Sequence, residues 1–193
     1  ENLLLSAGFN QEWAAASRSR PLRVYFIGTD ESQDNSGFLQ ALNKSCELEV
    51  FKKYDGGYGQ YNGQRSYKGT LGKQLNTDKL IEDVDKLIQG RQKPDVILMQ
   101  ALGRSFEIDK FKHYKKINNL KLINISLDDR LAYEEKTPKM EKYNRGSSGL
   151  NCIVDLVLVA NTEVVAWYLK ENVAALYFPM ASSLDFYHPL GIP

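Results

Sequence analysis

Two adjacent acids, Asp128 and Asp129, directly follow an apolar run of strand length at residues 122–127. A carboxylate at the end of a buried strand can accept a proton from a ligand hydroxyl if it lies within hydrogen-bond reach and has a suitable pKa. We therefore take both as candidate catalytic residues. Two structural alternatives stay open, because the acids could instead cap the following turn or pair with Arg130. Neighbouring side chains on an extended strand point to opposite faces, so we expect only one acid to reach a ligand.

Small and polar residues follow the other apolar runs of the chain. Gly28 would let a ligand approach the backbone closely, and Gly37 opens a helix whose free amides could meet a phosphate. In the alternative interpretations, Gly28 only forms a turn and Asn161 caps a helix. The substrate-binding candidates at these positions are Gly28, Thr29, Asp30, Ser36, Gly37, Gln100, Asn161 and Thr162.

Residues 54–72 contain six glycines and four tyrosines with no clear period. Long loops inside compact domains are uncommon and tend to be functional or disordered. Tyrosine offers a flat apolar face with a polar tip, which suits a sugar ring, so we add Tyr58 and Tyr61 to the substrate-binding candidates. The segment is predicted to be a mobile lid over a ligand, or alternatively a flexible surface excursion or an extra hairpin.

Strand-length apolar runs alternate with helical patterns along the whole chain. Because parallel strands joined by helices produce this alternation, the sequence predicts a doubly wound α/β domain, Rossmann-like, with about six mostly parallel strands and helices on both faces. Ligands bind such sheets beyond the carboxyl ends of the strands, where the candidate residues fall. The clearest predicted elements are strands at 22–27, 47–54, 95–101, 121–127, 155–160 and 174–180, and helices at 77–89, at 106–117 and directly after 161.

The end of this alternation carries a family resemblance. After a strand, a helix and a further strand, the chain continues as PMASSLDFYHP, with Pro179, Ala181, Asp185 and Pro189 at the characteristic positions. This pattern resembles the last segment of the N-terminal domain of GT-B-fold glycosyltransferases, and its form is closest to the spore-maturation (CgeB-like) glycosyltransferase group. Residues 122–133 are similar to the strand of that group that ends in an Asp-Asp pair.

The resemblance implies an enzyme that transfers a sugar from a nucleotide sugar to a hydroxyl of a glycan, protein or small molecule. This chain would be its acceptor-side domain, inactive alone, and the donor would be held mainly by a C-terminal domain of the same protein, with no further cofactor. The expected organisation is an extension at 1–20, the Rossmann-like domain at 21–189 and the start of an interdomain linker at 190–193. The alternative is a non-catalytic flavodoxin-like binding or interaction module.

The composition argues against nucleic acid as a ligand and for a reducing cellular environment. Lys plus Arg number 25 against 24 Asp plus Glu, so no net field draws the chain to nucleic acid. Cys46 and Cys152 lie near apolar runs, which predicts buried, reduced thiols and a cytoplasmic location. No apolar run reaches membrane-spanning length. The spacing of Cys and His predicts no protein-bound metal, and the pair Asp83 and Asp85 is predicted to lie on a solvated helix face.

Overall fold

The computed structural model describes residues 2–9, 15, 20–35, 37–61, 67–136, 139 and 141–179 of the chain, and side-chain positions are given only from residue 4 and, after the gap at 62–66, from residue 71. Its strands are β1 (Leu22–Ile27), β2 (Cys46–Val50), β3 (Val96–Met99), β4 (Leu122–Ser126), β5 (Leu156–Val159) and β6 (Ala175–Tyr177). Its helices are α1 (Asn2–Ser6), α2 (Glu31–Asp34), α3 (Phe38–Ser45), α4 (Tyr67–Gln89), α5 (Ile108–Ile117), α6 (Asp129–Ala132) and α7 (Thr162–Lys170), with short 3-10 helices at Gly103–Ser105 and Ser147–Leu150.

The six strands form one parallel sheet in the order β2-β1-β3-β4-β5-β6. This confirms the predicted α/β class with a Rossmann-like parallel sheet. The chain first winds from β1 to β2 at one edge, then returns across β1 to β3 and continues to the other edge. The order therefore reverses between β1 and β3, and the crevice beyond their carboxyl ends is the place where sheets of this kind bind ligands.

Each face of the sheet is covered by helices, because the strands are apolar on both sides. Tyr25, Ile27 and Met99 pack with Leu80 of α4 and Phe111 of α5 in the largest cluster. On the opposite face, alternate residues of the same strands pack against α3 through Phe38, Leu39 and Leu42. A third cluster joins β5 and β6 to α7 through the buried Val164 and Tyr168, while Leu169 of the same helix is 44% exposed.

Helix α4 begins ten residues before the predicted start at Thr77. The hydroxyl of Thr77 donates to the carbonyl of Lys73 (2.8 Å) and accepts from the Glu107 amide (2.9 Å). A threonine that bonds back by four residues lies inside a helix, whereas an N-cap threonine accepts from amides ahead of it. The prediction of an irregular segment over 54–72 was therefore wrong for residues 67–72, which are helical.

Asp83 and Asp85 do not lie on a solvated face, as the sequence predicted. Asp83 accepts a hydrogen bond from the hydroxyl of the fully buried Tyr25 (2.8 Å), and Asp85 accepts one from Tyr114 (2.6 Å). Burial and the adjacent carboxylate raise the pKa of both tyrosines. The two acids thus tie α4 to β1 and α5, because a buried hydroxyl needs a partner.

The two cysteines differ in exposure. Cys46 is half-buried and its thiol donates to the Leu42 carbonyl (3.0 Å), whereas Cys152 is exposed, so the prediction of burial was wrong for Cys152. Both are free thiols. Across the described ranges, the structure contains no helix with the length and apolar character that crossing a bilayer requires. The motif positions 180–189, the linker 190–193 and half of the predicted extension 1–20 lie outside the described residues.

Candidate functional site at the carboxyl edge of the sheet

A cavity of about 450 Å³ lies beyond the carboxyl ends of β1, β3 and β4, at the point where the strand order reverses. Four of the predicted site residues line this cavity: Thr29, Tyr61, Gln100 and Asp128. The fold therefore brings them together although they are distant in sequence. The other residues that line the cavity are mainly uncharged: Gln33, Gln60, Ala101, Leu102, Arg104, Ser105, Ile125, Ser126, Leu127, Leu131 and Ala132.

Gln100 is held in one orientation by the groups around it. Its Nε2 donates to Asp34 Oδ1 (3.3 Å) and its Oε1 accepts from the Thr29 hydroxyl (3.4 Å). Asp34 is 1% exposed and also accepts from the Tyr58 hydroxyl (2.6 Å). Burial raises the pKa of the Asp34 carboxyl above its ordinary value, and the bonds from Tyr58 and Gln100 offset part of that rise. Asp34 therefore positions Gln100 from behind the cavity wall.

Gly28 and Tyr58 support this arrangement without lining the cavity. A Cβ at Gly28 would collide with the Asp34 carboxylate and the Tyr58 hydroxyl. The glycine therefore lets these two side chains, and not a ligand, approach the backbone closely. Burial and the bond to Asp34 raise the pKa of the Tyr58 hydroxyl, which keeps it protonated as a donor. Both predicted residues thus act behind the wall of the site.

The segment after β2 forms a small hairpin that is fastened to the site. Lys52 and Tyr58 pair as an antiparallel bridge, and the Gln60 amide donates to the Gly28 carbonyl (3.1 Å). The buried Asn76 side chain then holds Tyr61 by both backbone groups, accepting from its amide (2.6 Å) and donating to its carbonyl (2.9 Å). Over residues 54–61 this matches the hairpin alternative.

The two candidate acids occupy different environments. Asp128 is exposed on the cavity rim and stands at the N-cap of α6 without making a side-chain capping bond to any described residue. Asp129 is 3% exposed, and its Oδ1 accepts from the hydroxyls of Ser126 (2.5 Å), Tyr168 (2.9 Å) and Ser147. Asp129 therefore joins β4 to α7 and to the second 3-10 helix, and a proton-accepting role stays a prediction for Asp128.

The cavity carries little net charge and few free backbone donors. Arg104, its lining cation, is paired with Glu135, and Arg130 pairs with Glu163 and not with either candidate acid. The amides of residues 100–105 all donate within the protein, to Ile27 O, Asn124 Oδ1, Ser105 Oγ, Gly146 O, Arg145 O and Leu102 O. A phosphate-binding loop needs free amides that converge on the anion. The β3 loop does not supply them.

The remaining predicted residues that the structure describes do not line the cavity. Asp30 caps α2, accepting from the amides of Ser32 (2.9 Å) and Gln33 (3.1 Å), and Gly37 is the N-cap of α3 with φ of 125°. Asn161 is the N-cap residue of α7, with no side-chain capping bond within the described ranges, and Thr162 begins that helix. Neither lines the cavity. Ser36 lies outside the described residues.

Sequence patterns did not identify three residues that shape the site. Asp34 and Asn76 are buried polar residues within helical segments, and Gln60 follows a glycine in an irregular segment. Each is recognised only from partners that are distant in the chain, such as Gln100 for Asp34 at 66 residues. For Asp34 the sequence did offer one pattern, the Asp-x-x-x-Asp spacing at 30 and 34. It marks a short helix, because Asp30 caps its start and Asp34 is its last residue.

Within the described part of the chain, no three His, Cys, Asp or Glu side chains are grouped as metal ligands. Comparison of the sequence with protein-family models and with curated proteins finds no match. The function must therefore be argued from the cavity itself.

Proposed function

We propose that the chain is the acceptor-side domain of a GT-B-like glycosyltransferase and that its cavity binds the acceptor molecule. The observation that carries the proposal is the exposed Asp128 carboxylate on the rim of a cavity at the switch point of the sheet, whose lining combines apolar side chains with mainly amide and hydroxyl polar groups. A hydroxylated ligand suits such a wall, because each of its hydroxyls can both donate and accept.

The proposed reaction joins an acceptor oxygen to the anomeric carbon of the donor sugar and releases the nucleoside diphosphate. Asp128 would receive the hydroxyl proton as that bond forms. Gln100, held by Asp34 and Thr29, would orient the acceptor so that its reactive hydroxyl lies near Asp128. We assign the nucleotide part of the donor to a C-terminal domain of the complete enzyme, because the amides at 100–105 are already bonded. We propose the cytoplasm as the location.

The experiment compares the chain with an enzyme that includes the C-terminal domain. In calorimetry the chain alone should bind nucleotide sugars weakly, and it should release no free sugar from them. In the two-domain enzyme, Asp128→Asn should reduce kcat by roughly 100-fold or more, which is the usual contribution of a general base. The control is Asp78→Asn in α4, since Asp78 pairs with Lys110 and does not line the cavity. Tight nucleotide-sugar binding with turnover by the chain alone would contradict the proposal.

A second candidate is a non-catalytic flavodoxin-like module that binds a small molecule. The strand order β2-β1-β3-β4-β5 favours it, since flavodoxin-like domains share that order and bind ligands at the same switch point. The rim residue Leu131, which is 87% exposed, would suit contact with a partner. Loss of transfer in the Asp128→Asn enzyme supports the first candidate, and absence of any sugar transfer by the unaltered two-domain protein supports the second.

A further inference from the structure

Gln60 lies in the cavity wall and is 8% exposed. Its backbone amide donates to the Gly28 carbonyl (3.1 Å) and its side-chain Nε2 donates to the Gln100 carbonyl (2.7 Å). A carbonyl only accepts, so the Gln100 contact fixes which end of the amide is nitrogen. The other end, Oε1, is a buried acceptor that has no hydrogen-bond partner among the described residues.

A buried acceptor without a partner is uncommon in native proteins and calls for an explanation. The hairpin is fastened to Gly28, Gln100 and Asn76, so Gln60 cannot turn away to find a partner without breaking those contacts. The atom also belongs to a residue that lines the cavity. A donor group of a bound molecule would satisfy it at little cost, because the amide is already oriented.

Two other polar groups of the wall, Gln100 and Asp128, also present acceptors. Gln100 Oε1 accepts a long bond from the Thr29 hydroxyl (3.4 Å), and the Asp128 carboxylate is an acceptor. The backbone amides at 100–105, which could have served as donors, are bonded internally. The side chains of Gln60, Gln100 and Asp128 therefore present acceptors to a ligand, and the amides at 100–105 are not free to bind an anion.

We propose that Gln60 is a ligand-binding residue whose Oε1 accepts a hydrogen bond from a hydroxyl or N–H group, and that the cavity selects donor-rich neutral molecules over phosphates. This inference rests on the proposed function, in which the ligand is hydroxylated. It adds that Gln60 contacts the ligand and that phosphates are excluded from the cavity.

The test uses nuclear magnetic resonance on the ¹⁵N-labelled chain with two kinds of probe: the methyl glycosides of glucose, galactose and mannose, and inorganic phosphate at matched ionic strength. At least one glycoside should shift the side-chain amide signals of Gln60 and Gln100, and phosphate should shift neither. Gln60→Met keeps the side-chain length and removes both polar atoms. It should weaken glycoside binding roughly threefold to tenfold, the effect of one neutral hydrogen bond. Gln89→Met, at the exposed end of α4, is the matched control.

Each outcome separates this inference from the proposed function. If a glycoside shifts the signals of Thr29 and Asp128 while the Gln60 amide stays unchanged in the wild-type chain, Gln60 is not a ligand residue and the proposed function stands. Phosphate shifts as large as the glycoside shifts would overturn the claimed selectivity. If no glycoside shifts any cavity signal, the proposed function and this inference fail together. The wild-type amide signal gives these answers even if Gln60→Met does not fold.

Discussion

Replacing Asp129 by Ala should destabilise the domain, whereas replacing its neighbour Asp128 by Ala should not. The Asp129 carboxylate is 3% exposed and accepts from three hydroxyls that belong to three different elements. Each bond to a charged acceptor is worth about 1.5–3 kcal/mol, but the hydroxyls can partly re-pair, so we expect a net loss of about 3–4 kcal/mol. Asp128 is exposed, and surface changes of this kind usually stay within about 0.5 kcal/mol.

The measurement is urea and thermal denaturation of wild type, Asp129→Ala, Asp129→Asn and Asp128→Ala. A domain of this size loses about 2–4 °C in Tm per kcal/mol, so Asp129→Ala should melt roughly 6–16 °C lower. Asp129→Asn retains the acceptor oxygen but not its charge, and charged bonds are about twice as strong as neutral ones, so its loss should be about half as large. Equal stabilities for Asp129→Ala and Asp128→Ala would refute the assignment of the two acids.

Three further predictions concern the wall of the cavity. Tyr58→Phe removes a donor to the Asp34 carboxylate and should cost about 1.5–3 kcal/mol at neutral pH. The folded-state pKa of Asp34 is raised. The contribution of Asp34 to the free energy of unfolding therefore favours the folded state at acid pH, and it is lost as the pH rises from the ordinary Asp pKa through the raised value. Tyr58→Phe loses a bond that favours the ionised carboxylate, so the variant should lie closer to wild type in acid than at neutral pH, as urea titrations at both pH values will show. Asn76→Ala frees both backbone groups of Tyr61 and should speed chymotrypsin cleavage at Tyr58 and Tyr61. Trypsin should still spare Lys73, which lies in α4 and pairs with Glu141. Equal chymotrypsin cleavage rates in the variant and the wild type would mean that the Asn76 bonds are not needed to hold this segment. Gly59→Ala should destabilise more than Gly56→Ala, since both have positive φ but only at Gly59 would a Cβ lie 2.9 Å from a backbone oxygen, that of Gly28; matching melting temperatures would argue against this contact.

The sequence by itself determined the sheet and the edge at which the site lies. Apolar runs such as 96–99 and 122–126 are local signals, and their alternation with helical patterns leaves few topologies other than a parallel doubly wound sheet. Once the strands are known, the residues after them are known to share one edge. This reasoning correctly brought Thr29, Gln100 and Asp128 to one cavity.

The tertiary structure decided which of the neighbouring residues point into that cavity and which hold it together. Asp128 and Asp129 have the same chemistry and adjacent positions, and the bonds that Asp129 accepts from the distant Ser147 and Tyr168 separate the buried acid from the rim acid. Local patterns could not assign the roles of Asp34 and Gln60, because those roles depend on bonds to Gln100, which lies 66 and 40 residues away in the chain. A hydrogen bond depends on distance in space, and composition and periodicity describe only neighbours along the chain. The sequence could therefore locate the site, but the folded chain alone assigned its parts.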